Sequence, residues 1–86
     1  MHQAETHTQK NEIVITRISK GDDRFVQLAV KNFKGSSFFD VRVYSINGHG
    51  LEVPTIKGVT FSRKNVLRLR QACDDALRVI DGGDLI

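Results

Sequence analysis

The chain has 86 residues, and its sequence predicts an α+β fold: a four- or five-stranded antiparallel sheet followed by one C-terminal amphipathic helix. Three observations lead there. The length is one small domain's worth, which leaves no room for a second domain or a large enclosed active site. Between residues 12 and 61 apolar and polar residues alternate at the strand period, interrupted by short turn-forming clusters. From Arg63 onward the period becomes helical.

Residues 1–11 (MHQAETHTQKN) contain no apolar run and read as a flexible polar tail, so the domain is expected over residues 12–86. Residues 12–18 (EIVITRI) are rich in β-branched side chains and run into Ser-Lys-Gly-Asp-Asp, a strand ending in a turn whose register is ambiguous because both faces carry an Ile. Residues 24–33 alternate clearly, with Val26, Leu28 and Val30 on one face and Phe25, Gln27, Ala29, Lys31 and Phe33 on the other. After a turn at residues 34–37, residues 38–46 alternate again: Phe39, Val41 and Val43 against Phe38, Asp40, Arg42 and Tyr44. These two segments form a hairpin. Asn47-Gly48 turns the chain once more, residues 51–53 return as a strand that Pro54 is expected to stop, and residues 59–61 form a short further strand. Ser62 is placed to cap a helix whose Val66, Leu69, Cys73, Ala76, Leu77 and Ile80 share one arc, and Gly82-Gly83 closes it. That helix is expected to cover the apolar face of the sheet.

Thirteen Lys and Arg against ten Asp and Glu leave a formal charge of +3, a mild basic excess that favours polyanionic partners. No stretch approaches the roughly 18 to 20 apolar residues that span a bilayer, and the N-terminus lacks the apolar core of a signal peptide, so no membrane role is expected. A single Cys cannot form an internal disulfide, which points to a reducing cytoplasmic setting. With neither disulfides nor a metal site to supplement a small core, oligomerisation is expected.

One helix covers one face of a sheet. The other is expected to stay open, and it carries Lys31, Phe33, Phe38, Arg42 and Tyr44. Single-stranded nucleic acid offers phosphates that attract cations and unstacked bases that lie on aromatic rings, so this mixture suits it. The plainer alternative makes Phe33 and Phe38 ordinary cross-strand partners and leaves Lys31 and Arg42 solvated or paired with Asp40. No catalytic constellation, phosphate-binding Gly-rich loop or dinucleotide fingerprint occurs, so neither enzymatic activity nor a cofactor is expected. His2, His7 and His49 lack metal-site spacing, and Cys73, on the apolar arc of the helix, is expected to be a packed structural thiol.

Several short motifs then occur in order. Val30-Lys31-Asn32-Phe33-Lys34-Gly35 is followed by Phe39-Asp40-Val41-Arg42-Val43-Tyr44, then by Pro54-Thr55-Ile56-Lys57-Gly58-Val59-Thr60-Phe61 and the helix. Together they resemble the single-stranded-DNA-binding domain of the transcriptional coactivator family called positive cofactor four, over residues 24–80. The resemblance implies a curved antiparallel four-stranded sheet followed by one helix, dimerisation largely through the helices, and paired sheet grooves for single-stranded or melted DNA. It implies DNA contacts at Lys31, Phe33, Lys34, Gly35, Ser36, Arg42 and Lys57, with Arg17, Lys20, Arg24 and Tyr44 as weaker candidates. Lys31, Arg42 and Lys57 would neutralise phosphates, Phe33 would support a stacked base, and Gly35 would let the backbone approach the strand. Ser45, Ile56 and Ser36 depart from the family pattern, since relatives often carry an aromatic residue at the first position and basic residues at the other two. Weaker binding or a shifted strand path follows from those departures. The short polar tail matches a minimal bacterial or phage-type member rather than a eukaryotic one with a long Ser-rich tail.

The helix carries Arg63, Lys64, Arg68 and Arg70 in its first half and Asp74, Asp75 and Asp81 toward its end, against its own dipole. An antiparallel twin helix would set each basic half beside an acidic one, so a homodimer is expected with Val66, Leu69, Cys73, Leu77 and Ile80 at its interface. Leu67 and Val79 lie outside the main arc and can add to it. The expected function is binding of single-stranded or melted DNA without sequence preference, in support of transcription, replication or repair and alongside that machinery. The setting is cytoplasmic and nucleoid-associated, or nuclear in a eukaryote. Two rival readings are an RNA-binding protein or RNA chaperone with the same surface, and a structural protein-interaction dimer with weak nucleic-acid binding.

Overall fold

The computed structural model describes residues 8–9 and 11–83. Strands β1 (Thr8–Gln9), β2 (Glu12–Ser19), β3 (Arg24–Phe33), β4 (Ser36–Ile46) and β5 (Glu52–Phe61) form one sheet in the order β1-β2-β3-β4-β5, and helix α1 (Arg63–Gly82) follows. Every pairing is antiparallel, and each strand lies beside its neighbour in the chain. The α+β arrangement is as the sequence predicts, with four long strands and a two-residue fifth. That fifth, β1, falls in the expected tail and pairs Thr8 with Ile13 and Gln9 with Glu12; most of the tail, like residues 84–86, lies outside the described residues.

The hairpin of β3 and β4 is the centre of the sheet and runs in unbroken register from Arg24↔Ser45 to Phe33↔Ser36. Its turn is tighter than residues 34–37. Lys34 (φ 54°) and Gly35 (φ 84°) alone make it, two consecutive left-handed residues whose twist matches that of the strands they join.

Two bulges interrupt the outer ladders. In β2 the register shifts between Val14 and Thr16, leaving Ile15 as an extra residue; Ile13 and Ile18 therefore both fall on the face of Val26 and Val30, which resolves the ambiguity in the alternation. In β5 the partners step from Gly58, opposite Arg42, to Pro54, opposite Tyr44, so Thr55, Ile56 and Lys57 stand against Val43. The expectation that Pro54 ends the ladder is corrected: residues 52–53 and 59–61 belong to one strand, and Leu51 lies just outside it. Because β5 is the sheet edge, Pro54 sits where a missing N–H can be tolerated.

The sheet curls. Two strands separate β2 from β5, a span of about 14 Å on a flat sheet. The Arg17 guanidinium on β2 meets the Glu52 carboxylate on β5 at 3.3 Å across that span, and Val14, Phe25 and Ala29 on the same face are buried although the helix does not lie over them, so this face is concave.

The most buried side chains lie on that concave face, contrary to the expectation of an open face there. Val14, Phe25 and Ala29 are buried, and so are Gln27 and Asp40. Ala29 stands between its cross-strand partners Val14 and Asp40, and all three are buried. The helix does not cover the other face as predicted. Among the described residues it touches only β4 and β5, and none of its own residues is buried. Ser62 is the only residue between edge strand β5 and α1, so the helix departs from the rim of the sheet. Ser62 does occupy the N-cap position but makes no side-chain capping bond, and Gly83 (φ 72°) closes the last turn by donating its N–H to the Ile80 carbonyl. Cys73, expected to be packed, is exposed within the single chain.

Candidate nucleic-acid interface

Strand register brings one set of side chains onto the concave face. From β2 come Glu12 and Arg17; from β3, Phe25, Gln27, Lys31 and Phe33; from β4, Ser36, Phe38, Asp40, Arg42 and Tyr44; from β5, Glu52 and Gly58. The even-numbered residues of β3 point the other way. Arg24 therefore shares the back-face register of Val26 and is not brought to the concave face; its nearest acid is Asp23, at 4.0 Å.

Asp40 organises the centre. Its carboxylate, 3% exposed as a residue, accepts from Arg42 Nε at 3.2 Å and Nη2 at 3.0 Å, and the Lys31 ammonium stands 3.3 Å away. Burial alone would push this carboxyl up; the bonds from Arg42 and the charge of Lys31 outweigh it and hold Asp40 below the ordinary carboxylate range. The bond to Asp40 raises Arg42 further in turn, against a smaller effect of burial. Arg42 Nη1 donates to the Thr55 carbonyl at 3.0 Å, an acceptor that the β5 bulge delivers. The bulge is itself pinned, because the Thr55 hydroxyl donates to the Val43 carbonyl at 2.7 Å.

Gly58 makes room for this arrangement. A Cβ there would lie 2.5 Å from the Val41 carbonyl oxygen and 2.9 Å from Arg42 Cζ, so any side chain would displace the guanidinium. The sequence marks residue 58 only as half of a Lys-Gly pair; its contact with Arg42 depends on the strand pairing. Gly35 has a different reason for being glycine. Nothing lies within 4 Å of its Cβ position, and its left-handed φ is what the turn requires.

A second cluster stacks at the other end of the face. Phe25 and Tyr44 are stacked at 5.2 Å between centroids, and the Arg17 guanidinium lies 5.0 Å over Phe25. Gln27 ties the clusters together: its amide oxygen accepts from Arg17 Nε at 3.0 Å, and its amide nitrogen donates to the Tyr44 hydroxyl at 3.1 Å and, at 3.5 Å, to the carboxylate of Glu12, which pairs with Lys31. Gln27 is a site residue that alternation places on the face but that the charge-and-ring pattern overlooks.

Beside β2 the face opens into a cleft of about 500 Å³, lined among others by Glu12, Lys31, Phe33, Phe38 and Tyr44. Phe33 is 64% exposed at its mouth, with the Lys34 ammonium 5.3 Å over its ring. Lys57 is exposed on the β5 bulge, next to Ile56, which is 95% exposed. Lys20 lies in the β2–β3 turn, at the opposite end of β3 from Phe33, roughly 30 Å away at the usual rise per strand residue. Of the candidates, then, Lys31, Phe33, Ser36, Arg42, Arg17 and Tyr44 share the face, Lys34, Gly35 and Lys57 border it, and Lys20 and Arg24 stand apart. Among the described residues no three His, Cys, Asp or Glu side chains gather as metal ligands, and no helix is long and apolar enough to cross a membrane. His2 and His7 lie outside the described residues.

The family described as Transcriptional Coactivator p15 (PC4) matches residues 19–72, more than half of the chain. The fold is similar to the crystal structure of a PC4 homolog from Burkholderia pseudomallei. Its orthorhombic form is 19% identical with a TM-score of 0.71, covering 84% of this chain and 97% of that one. The tetragonal form is 22% identical with a TM-score of 0.69, covering 76% and 96%. No curated protein matches the chain.

Proposed function

The chain belongs to the Transcriptional Coactivator p15 (PC4) family of non-enzymatic, single-stranded-DNA-binding domains, and on that premise we propose that its concave sheet face binds single-stranded or melted DNA as a homodimer. One observation carries the reading: an exposed Phe33 ring, bracketed by the Lys34 ammonium, stands at the mouth of a cleft shared by Phe38, Tyr44 and Lys31. Bases stack on such rings whatever their identity, so binding has little sequence preference. The contacts are Lys31, Phe33, Lys34, Gly35, Ser36, Arg42 and Lys57, with Arg17 and Tyr44 as framework beneath them.

The homodimer is supported by apolar surface that a single chain leaves in water. On α1, Leu77 and Ile80 are 57% and 61% exposed, and Cys73 is exposed too; on the back of the sheet, Ile18 and Val59 are more than half exposed. A second copy that buries Val66, Leu69, Cys73, Leu77 and Ile80 removes the helix stripe from water. Such a dimer serves transcription, replication or repair in a cytoplasmic, nucleoid-associated setting.

Titration of labelled oligo-dT at low and high salt tests the reading. Binding that weakens steeply with salt supports it, and absent or salt-independent binding overturns it in favour of a structural dimer. Competition with oligo-U of the same length separates DNA from RNA as the natural ligand.

A further inference from the structure

The concave face is built from ion pairs that cancel. Arg17 meets Glu52 at 3.3 Å, Arg42 meets Asp40 at 3.0 Å, and Lys31 lies between Asp40 at 3.3 Å and Glu12 at 3.7 Å. Three cations thus face three carboxylates, and what lies between them is uncharged: the Gln27 amide, the Tyr44 hydroxyl and the rings. The charge that is left over stands at the border. Lys34, in the β3–β4 turn, and Lys57, on the β5 bulge, are exposed, and neither has an ion-pair partner among the described residues.

We propose that the floor of this face takes nucleobases and its rim takes phosphates: Asp40, Glu12 and Glu52 cancel the floor cations, and the phosphates are held at Lys34 and Lys57. The inference rests on the DNA-binding reading above and gives that site its polarity. A phosphate on the floor would have to displace carboxylates already bonded at about 3 Å and would be repelled by the ones that remained. A base carries no charge and has donors and acceptors on its edge. Arg42 suits it, because Nη1 and Nη2 each keep one N–H beyond those given to Thr55 and Asp40, and a carboxylate oxygen can accept more than one bond. Lys31 and Arg42 therefore act as hydrogen-bond donors to base edges. Their charge is already compensated before DNA arrives, so they release no counterions when it binds.

The salt dependence of binding distinguishes the two kinds of cation. For single strands each neutralised phosphate adds about 0.7 to the slope of log K against log salt. We expect Lys34→Asn and Lys57→Gln each to flatten that slope by about 0.7 per chain in oligo-dT titrations followed by fluorescence anisotropy. Lys31→Gln is expected to weaken binding several-fold at every salt concentration and leave the slope unchanged. Lys34 and Lys57 are exposed, and Asn tolerates the left-handed conformation at residue 34, so the rim variants retain the fold. A slope flattened by Lys31→Gln as much as by the rim variants overturns the proposal while leaving DNA binding intact. So does a slope indifferent to the rim variants. Failure of the unsubstituted protein to bind oligo-dT at any salt concentration overturns the DNA-binding reading itself, and the polarity with it.

Discussion

The Arg42 guanidinium lies along the Asp40 carboxylate through two hydrogen bonds, Nε to Oδ2 at 3.2 Å and Nη2 to Oδ1 at 3.0 Å. Both residues are on β4, two positions apart, so they project from the same face as neighbours. What turns proximity into a bidentate pair is the floor around them. Gly58 leaves the space beneath the guanidinium empty, and the bulged Thr55 carbonyl holds its far end.

That pair makes the fold sensitive to acid. Asp40 is held below the ordinary carboxylate range, so the folded protein binds its proton more weakly than the unfolded chain does. Its contribution is complete above the unfolded carboxyl value of about 4 and is lost as pH falls from there through the lower folded value. Thermal melts should fall in midpoint over that window. Asp40→Asn should be less stable at neutral pH by about 1–3 kcal/mol, with a shallower acid dependence. An acid profile identical in the two proteins would show that other carboxylates set it.

Gly58→Ala and Gly35→Ala should fail for different reasons. At residue 58 the new Cβ meets the Val41 carbonyl and the Arg42 side chain, so the variant should lose about 1–3 kcal/mol and part of its oligo-dT affinity together. At residue 35 the Cβ meets no atom, and the cost is the left-handed backbone alone, about 1–2 kcal/mol. Chemical denaturation measures both losses. An affinity of Gly58→Ala equal to that of the unsubstituted protein, compared under conditions where both are fully folded, would sink the role given to Gly58.

Phe33 is expected to separate binding from stability. Phe33 as a residue is 64% exposed, so Phe33→Ala should change the unfolding free energy by no more than about 0.5 kcal/mol. Loss of a stacked base should weaken oligo-dT binding by about 1–3 kcal/mol, from fivefold to more than a hundredfold. Unchanged affinity would remove Phe33 from the interface.

The helix stripe is tested by mass. Sedimentation of the unsubstituted protein should give twice the chain mass, and Leu77→Glu combined with Ile80→Glu should give the single-chain mass. Reversing the basic half alone, with Arg68→Asp and Arg70→Asp, should also weaken self-association. A single-chain mass for the unsubstituted protein at micromolar concentration would rule out the dimer.

Alternation was legible wherever strands pair without interruption. The split of β3 and β4 into Phe25, Gln27, Ala29, Lys31 and Phe38, Asp40, Arg42, Tyr44 on one face, and the valines on the other, matches the observed register. In β2 it was not legible, because the one extra residue of its bulge reverses the parity of every residue beyond it and has no fixed signature in composition; the β5 bulge inserts two extra residues and leaves the parity unchanged, so there only the pairing across the bulge was hidden. Pro54 likewise looked like a strand end because its tolerance depends on being at an edge, and which strand forms the edge is a property of the whole sheet.

Local chemistry along the chain was enough to specify strand periodicity, the Lys34-Gly35 reversal, the Gly83 helix stop and the side chains that share a face, because each depends on neighbours within a few residues. The curl that joins Arg17 to Glu52, the burial of Asp40 under Lys31 and Arg42, and the departure of α1 from the sheet rim arose from packing across strands. Charges counted in a sequence are independent. Once folding brings opposite charges within 3–4 Å they cancel, which is how a chain of net charge +3 comes to present a balanced floor and a basic rim.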